Sequence, residues 1–170
     1  MVILVDLNDI EIGTMKKMEA HEKALLHRAF SVFIFNSNGE LLMQQRAYDK
    51  YHSAGLWTNT CCSHPFPGEK TLDAANRRLH EEMGLKTDLE FKFKFLYKAP
   101  FDNNLTEHEI DHVFVGHSDK LPELNTHEVA AHKYMTLENL QESISNNPEQ
   151  YTEWFKIIFS EFIHEISSKN

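Results

Sequence analysis

Residues 71–83, TLDAANRRLHEEM, set one helix in the middle of the chain and so limit the folds open to the rest. Thr71 stands where a capping hydroxyl belongs, and Gly84 follows where a left-handed closing residue belongs. Leu72, Ala75, Leu79 and Met83 recur at helical spacing and form one apolar stripe. Such a stripe must be buried against a neighbour, and the neighbouring segments read as strands. Upstream, FSVFIF (30–35) and ELLMQQ (40–45) flank Asn36-Ser-Asn-Gly39, an Asn-Gly hairpin signal. Downstream, LEFKFKFLY (89–97) alternates, with Phe91, Phe93 and Phe95 on one face and Lys92 and Lys94 on the other. VILV (2–5) and residues 108–116 read as further strands, and residues 137–145 as a short helix. Asn147-Pro148 signals a helix start, after which Trp154, Phe155, Ile158, Phe162 and Ile166 recur at helical spacing. Strands mixed with two or three helices predict an α/β (α+β) layer fold, and the lack of repeats or linkers predicts a single domain over 1–170.

The formal net charge of −9 argues against nucleic acid as a partner, which calls for a basic surplus or stripe. An anionic substrate would have to be held by local Lys, Arg or a metal. The chain has no apolar run long enough for a membrane span, and MVILVDLND lacks the basic region of a signal peptide. The two cysteines, Cys61 and Cys62, are adjacent, a spacing that rarely reaches unstrained disulfide geometry, which points to a reducing cytoplasm. Eleven histidines direct attention to metal ligands.

On the central helix, positions 78, 81 and 82 share a flank, and Glu81 and Glu82 can hold a hard cation such as Mg²⁺. The same residues also suit a solvated face with Arg77–Glu81 and Arg78–Glu82 pairs. The run Glu69…Arg77-Arg-Leu-His-Glu-Glu-Met-Gly-Leu85 resembles the Nudix box, the loop–helix motif of enzymes that hydrolyse nucleoside diphosphates linked to another moiety. It matches at Glu69, Arg77, Leu79, Glu81, Glu82, Gly84 and Leu85, and departs at Ser63, where the pattern has glycine, and at Arg78, where it has a metal-binding glutamate. A guanidinium in place of a carboxylate removes a cation site and creates a diphosphate site, which argues against ordinary Nudix hydrolysis.

His21, His27 and His64, with Glu107 and Glu109 two residues apart on a predicted strand, form a set that suits Zn²⁺ or Mn²⁺. Spacing alone cannot bring these distant residues together, and a lone histidine is commonly a surface or satisfied residue. The blocks MEAHEKALLHRAF, LLMQQRAYDK, GLWTNTCCSHP, RRLHEEMG and LTEHEIDHVF are similar, in order, to the type I isopentenyl-diphosphate isomerase family, a divergent branch of the Nudix fold. The spacing between His21 and His27 is one residue shorter than in some relatives.

The resemblance implies a Nudix-like fold, a mixed sheet sandwiched between helices. It implies an isomerase of isoprenoid biosynthesis that interconverts isopentenyl and dimethylallyl diphosphate through a tertiary carbocation, acting as a monomer or weak homodimer. It assigns His21, His27, His64, Glu107 and Glu109 to a first metal, Zn²⁺ or Mn²⁺, and Cys62 and Glu109 to proton transfer. Glu82 and the main-chain carbonyl of Cys62 would hold Mg²⁺. Lys17, Arg46, Lys50 and Arg78 would grip the diphosphate, and Tyr97 and Trp154 would lie beside the reacting carbons. Read without the resemblance, Trp154 and Tyr97 suit core packing equally well. Cys61 reads as a small buried residue and His80 as solvent-facing. Two rival readings are a metal-dependent Nudix hydrolase and a non-catalytic module that binds zinc or senses diphosphate.

Overall fold

The computed structural model describes residues 1–101 and 104–167. Among the described residues, nine strands form one mixed sheet: β1 Val2–Val5, β2 Glu11–Met15, β3 His27–Phe35, β4 Leu41–Arg46, β5 Trp57–Thr58, β6 Cys61–Ser63, β7 Leu89–Pro100, β8 Thr106–His117 and β9 Val129–Met135. The described residues also form four α-helices: α1 Lys17–Glu22, α2 Thr71–Met83, α3 Leu137–Asn146 and α4 Glu153–Ser167. The long strand β3 lies parallel to β8 and antiparallel to β1, β4 and β6, while β7 is antiparallel to β8 and β9 to β4.

Each face of the sheet has its own core. Phe30, Val32 and Ile34 of β3 and Phe114 of β8 pack with Ala74, Ala75, Leu79 and Met83 of α2. Phe33 and Phe35, Val113 and Val115 point the other way and pack with Leu140 of α3 and Trp154, Phe155, Ile158 and Phe159 of α4. The period of two in the strands thus feeds two helical layers, and each large apolar side chain buried there contributes roughly 1.5–3 kcal/mol.

The central helix spans 71–83 as expected, and Gly84 closes it at φ 66°. That conformation and the space both favour glycine, because a Cβ at position 84 would lie 2.7 Å from the Cβ of Glu123. Thr71 is not the cap: Lys70 holds that position and no side chain caps the helix. Leu72 is 41% exposed, and Ala74 takes its place in the buried stripe, because the helix leans on the sheet by a face one step round from the predicted one.

Three other expectations change. A bulge between Phe91 and Phe93 places two residues of β7 against one of β8, so Phe91 pairs with Phe114 on one face and Phe93 with Val113 on the other. Phe93 and Phe95 pack on Phe162 of α4, whereas Phe91 is 49% exposed. Pro148 opens a short 3₁₀ turn, Pro148–Gln150, and α4 begins only at Glu153, because Tyr151 pairs as an extended residue with Trp57. The hairpin turn forms, with Gly39 N–H donating to the Asn36 carbonyl at 3.0 Å, but its arms pair only at Phe35–Leu41.

The splayed hairpin opens a slot for segment 57–63, which wedges between its arms. Trp57 and Thr58 pair with Gln45 and Gln44 of β4, and Cys61, Cys62 and Ser63 pair with Val32, Ser31 and Phe30 of β3. Thr60 bridges the gap, accepting from Ile34 N–H at 2.9 Å and donating to the Leu42 carbonyl at 2.6 Å. Asn59 donates to the carbonyls of Val32 and Cys61. Thr60→Val keeps the volume but leaves two buried main-chain groups unpaired, and is expected to cost about 3 kcal/mol, read as a lower urea midpoint at unchanged slope.

Candidate active site

The inward faces of four strands assemble the site through their register. His27 of β3 lies opposite Glu109 of β8, and Tyr97 of β7 lies opposite the same Glu109. Two residues on, Ala29 faces Asp111; Ser31 faces Cys62 of β6. Directly paired residues share a face, so an imidazole, a phenol, three carboxyls and a thiol occupy one end of the layer beneath α4. The phenol, the three carboxyls and the thiol line a cavity of about 40 Å³, shared by Cys62, Glu107, Glu109, Asp111, Tyr97 and Trp154, with His27 just behind it.

Around Glu109, the structure gathers His21, His27 and His64, with one donor atom from each of the four residues within 4.8 Å of the others. His64 Nε2 is 2.9 Å and His27 Nε2 3.2 Å from Glu109 Oε1. His27 Nδ1–H donates to the Leu25 carbonyl at 2.8 Å, which directs the Nε2 lone pair inward. Nε2 of His21 and of His27 are buried without a hydrogen-bond partner. Burial pushes His21 down to about 4 and His64 down to about 3, so both rings are neutral at pH 7 and keep a lone pair to donate. Buried imidazoles converging on one carboxylate, two of them with an unpartnered Nε2, fit a borderline divalent ion such as Zn²⁺ or Mn²⁺.

Glu107 lies beside this group but outside the set of four. Tyr97 donates to Glu107 Oε2 at 2.5 Å, and its hydroxyl lies 3.0 Å from Glu109 Oε2. The two carboxyls differ in electrostatics. Burial, reinforced by the Glu109 charge, pushes Glu107 up to about 8. Burial acts to raise Glu109 as well, but the His27 and His64 imidazoles beside it outweigh that and hold the carboxyl well below its usual range. The Cys62 thiol is pushed up to about 12 by burial, against the pull of the Arg46 guanidinium.

The four basic residues singled out in the sequence divide into two pairs. Lys17, the first residue of α1, and Arg46, at the end of β4, line the cavity. Arg46 lies over the Trp154 ring at 5.4 Å, with Nε buried and unpartnered. Lys50 and Arg78 both meet the Glu128 carboxylate, away from that lining. Arg78 also binds Glu82 Oε1 at 2.5 Å, while Gln44 binds Glu82 Oε2 at 2.9 Å. Both Arg77–Glu81 and Arg78–Glu82 pairs therefore form, and Arg77 further clamps Glu69 through two contacts of 2.8 Å. Trp154 is both wall and core, its indole N–H donating to Asn59 Oδ1 at 3.2 Å. Cys61 is buried on the α2 face and His80 is exposed.

Sequence reasoning missed His52, Ser31 and Asp111. Ser31 donates to Asp111 Oδ2 at 2.7 Å, and Asp111 Oδ1 is buried without a partner. The alternation Glu107-x-Glu109-x-Asp111 carried the signal, since period two puts all three acids on one face. His52 left no such pattern, because its place depends on the path of the 47–56 segment.

A family model for the NUDIX domain matches residues 25–155. The isopentenyl-diphosphate Delta-isomerase of Pectobacterium atrosepticum is 52% identical over 159 residues, covering 94% of this chain and 89% of its own. The protein of the same name from Serratia proteamaculans is 48% identical, covering 95% and 90%, and that from Photobacterium profundum 42%, covering 99% and 97%. Among solved structures, DR0079 from Deinococcus radiodurans superposes with a TM-score of 0.77 at 19% identity over 95% of this chain and 98% of its own. The MutT protein from Methanosarcina mazei Go1 gives 0.69 at 20% identity over 82% and 94%, so these two likenesses establish the fold. The chain belongs to the NUDIX family, within its isopentenyl-diphosphate Delta-isomerase branch.

Proposed function

We propose that this chain interconverts isopentenyl diphosphate and dimethylallyl diphosphate by adding a proton to one carbon and removing another from a neighbouring carbon, through a tertiary carbocation. The observation that carries this reading is the shared cavity: the Cys62 thiol and the Glu109 carboxylate line one buried space, and Glu109 sits in a cage of three imidazoles. An unactivated alkene needs a donor, an acceptor and exclusion of water, and a narrow recess with both groups on its wall, Trp154 beside them, supports those needs.

The roles follow from the environment of each group. Cys62 and Glu109 exchange the proton with the two carbons, and because the reaction is reversible they trade donor and acceptor duties with direction. Tyr97, in contact with both Glu107 and Glu109, links the carboxyl that retains a proton near neutrality to the one that does not. Trp154 presents a π face to the developing cation, worth on the order of 2 kcal/mol in a desolvated site. Lys17 and Arg46 at the cavity, with Lys50 and Arg78, bind the diphosphate; the substrate anion takes the place of Glu128 as the partner of the last two. His21, His27, His64, Glu107 and Glu109 would hold Zn²⁺ or Mn²⁺, and Glu82 with the Cys62 carbonyl would hold Mg²⁺. A bound ion at Glu109 supplies electron withdrawal, which makes a proton on that carboxyl more acidic.

The departure at Arg78 bears on the rival hydrolase. Water activation in a Nudix hydrolase needs helix carboxylates, and here a guanidinium occupies one such position and engages Glu82. The cytoplasmic setting belongs to the same reading: both thiols are free, and no helix among the described residues is long and apolar enough to cross a membrane.

Incubation with isopentenyl diphosphate and Mg²⁺, followed by product analysis, is expected to yield dimethylallyl diphosphate; release of phosphate products from nucleoside diphosphate derivatives without isomerisation would favour the hydrolase. Cys62→Ala is expected to lower turnover about 10³-fold, the usual weight of a positioned acid or base, and a variant with full turnover would remove the thiol from the mechanism. Chelation is expected to abolish turnover and Mg²⁺ together with Zn²⁺ or Mn²⁺ to restore it, with undiminished rate in chelator as the contrary result.

A further inference from the structure

We propose that His52 is a positioning residue that fixes the orientation of Glu107 and ties the 47–56 segment to the ligand cage. The proposal rests on the isomerase reading for the role of Glu107, and on geometry that the isomerase reading does not use.

Among the described residues, His52 is the one imidazole at the cavity that stands outside the group around Glu109. Its Nε2 lies 3.2 Å from Glu107 Oε1, while Tyr97 holds the other oxygen, Oε2. A carboxyl contacted at both oxygens has one orientation, whereas one held only by Tyr97 can turn about its last bond. His52 Nδ1 lies 3.3 Å from Ser53 Oγ, so a hydroxyl donating to Nδ1 leaves Nε2–H to face Glu107.

The ring is itself clamped. It stacks on Phe101 with centroids 5.1 Å apart, and meets Tyr51 edge-on at 4.5 Å and Trp154 at 6.2 Å. The chain turns it inward by two left-handed residues just beyond, Ser53 at φ 50° and Gly55 at φ 71°. A Cβ on Gly55 would lie 2.7 Å from the Tyr48 ring, so the turn is built around glycine. The main-chain carbonyl of His52 accepts from Arg46 Nη2 at 3.3 Å. One residue therefore touches Glu107 through its ring and the Arg46 cation at the cavity through its backbone, and displacement of the segment releases both.

Three variants separate these contributions. His52→Phe keeps the stacked ring and removes the nitrogen, His52→Ala removes both, and His52→Gln keeps an amide donor in reach of Glu107. Zn²⁺ is titrated into chelator-stripped protein by calorimetry, beside kcat and KM for isopentenyl diphosphate. His52→Phe is expected to weaken Zn²⁺ binding by about 10- to 100-fold and to lower kcat by about tenfold, with His52→Gln recovering most of the loss. KM is expected to stay near the wild-type value in His52→Phe, whose ring keeps the stack and leaves the His52 carbonyl on Arg46, and to rise in His52→Ala, which frees the segment. In a Glu107→Gln background, His52→Phe is expected to cost no further affinity; an additive loss, or wild-type affinity in the single variant, would overturn the proposal. Coupling on Zn²⁺ with no isomerase turnover in the wild-type protein would retain the His52–Glu107 link and remove the assigned activity instead.

Discussion

The parallel pairing of β3 with β8 is the constraint on which the rest depends. It sets His27 beside Glu109 and, through the same ladder, Ala29 beside Asp111. Side chains alternate along a strand, so a slip of one residue would turn the histidine toward α2 and leave Glu109 without its cage. The register is held from both sides. Phe30, Val32 and Ile34 have only the α2 core to enter, and Phe33 and Phe35 only the α4 core. Packing on two faces thus specifies a polar arrangement at the end of one of them.

That arrangement is costly, and the way the cost is met gives the site its character. Glu107, Glu109 and Asp111 are three buried acids on one strand face. Three adjacent carboxylates cannot all ionise in a low-dielectric pocket, and their environments drive them apart. Glu109, bonded to His64 and with His27 Nε2 3.2 Å away, is held well below the usual carboxylate range, whereas burial and the Glu109 charge push Glu107 up to about 8 and Asp111 well above the usual range. The imidazoles of His21 and His27, each with an unpartnered Nε2, complete the set. A structural cluster would satisfy those nitrogens; leaving them buried and unpaired is costly unless a ligand binds there.

The thiol reaches this pocket because the hairpin does not close. Thr60 and Asn59 substitute for the missing ladder between β3 and β4, and segment 57–63 enters between the arms with Cys62 paired to Ser31. The short turn and the extended Tyr151 then bring Trp154 over the same pocket, with Thr152 N–H donating to the Trp57 carbonyl at 3.0 Å. Segments far apart in the chain are joined by a few buried polar side chains whose hydrogen bonds replace regular sheet.

The local elements were legible from the residues alone, because period and punctuation decide them: helix 71–83 closed by Gly84, strand 2–5, the turn at Asn36–Gly39 and the helical stripe beginning at Trp154. The block order also carried the family. Tertiary structure decided where local signals compete with packing. A bulge at Lys92 put Phe91 on the opposite face from Phe93, although the bare alternation puts them together. Pairing with Trp57 drew Tyr151 into an extended shape and delayed α4 beyond Pro148. His52 reached Glu107, and Lys50 and Arg78 met at Glu128, through contacts between segments that no spacing rule connects. Periodicity along a chain encodes which side of an element is buried, but only the packed fold determines which distant side chain lies across from it.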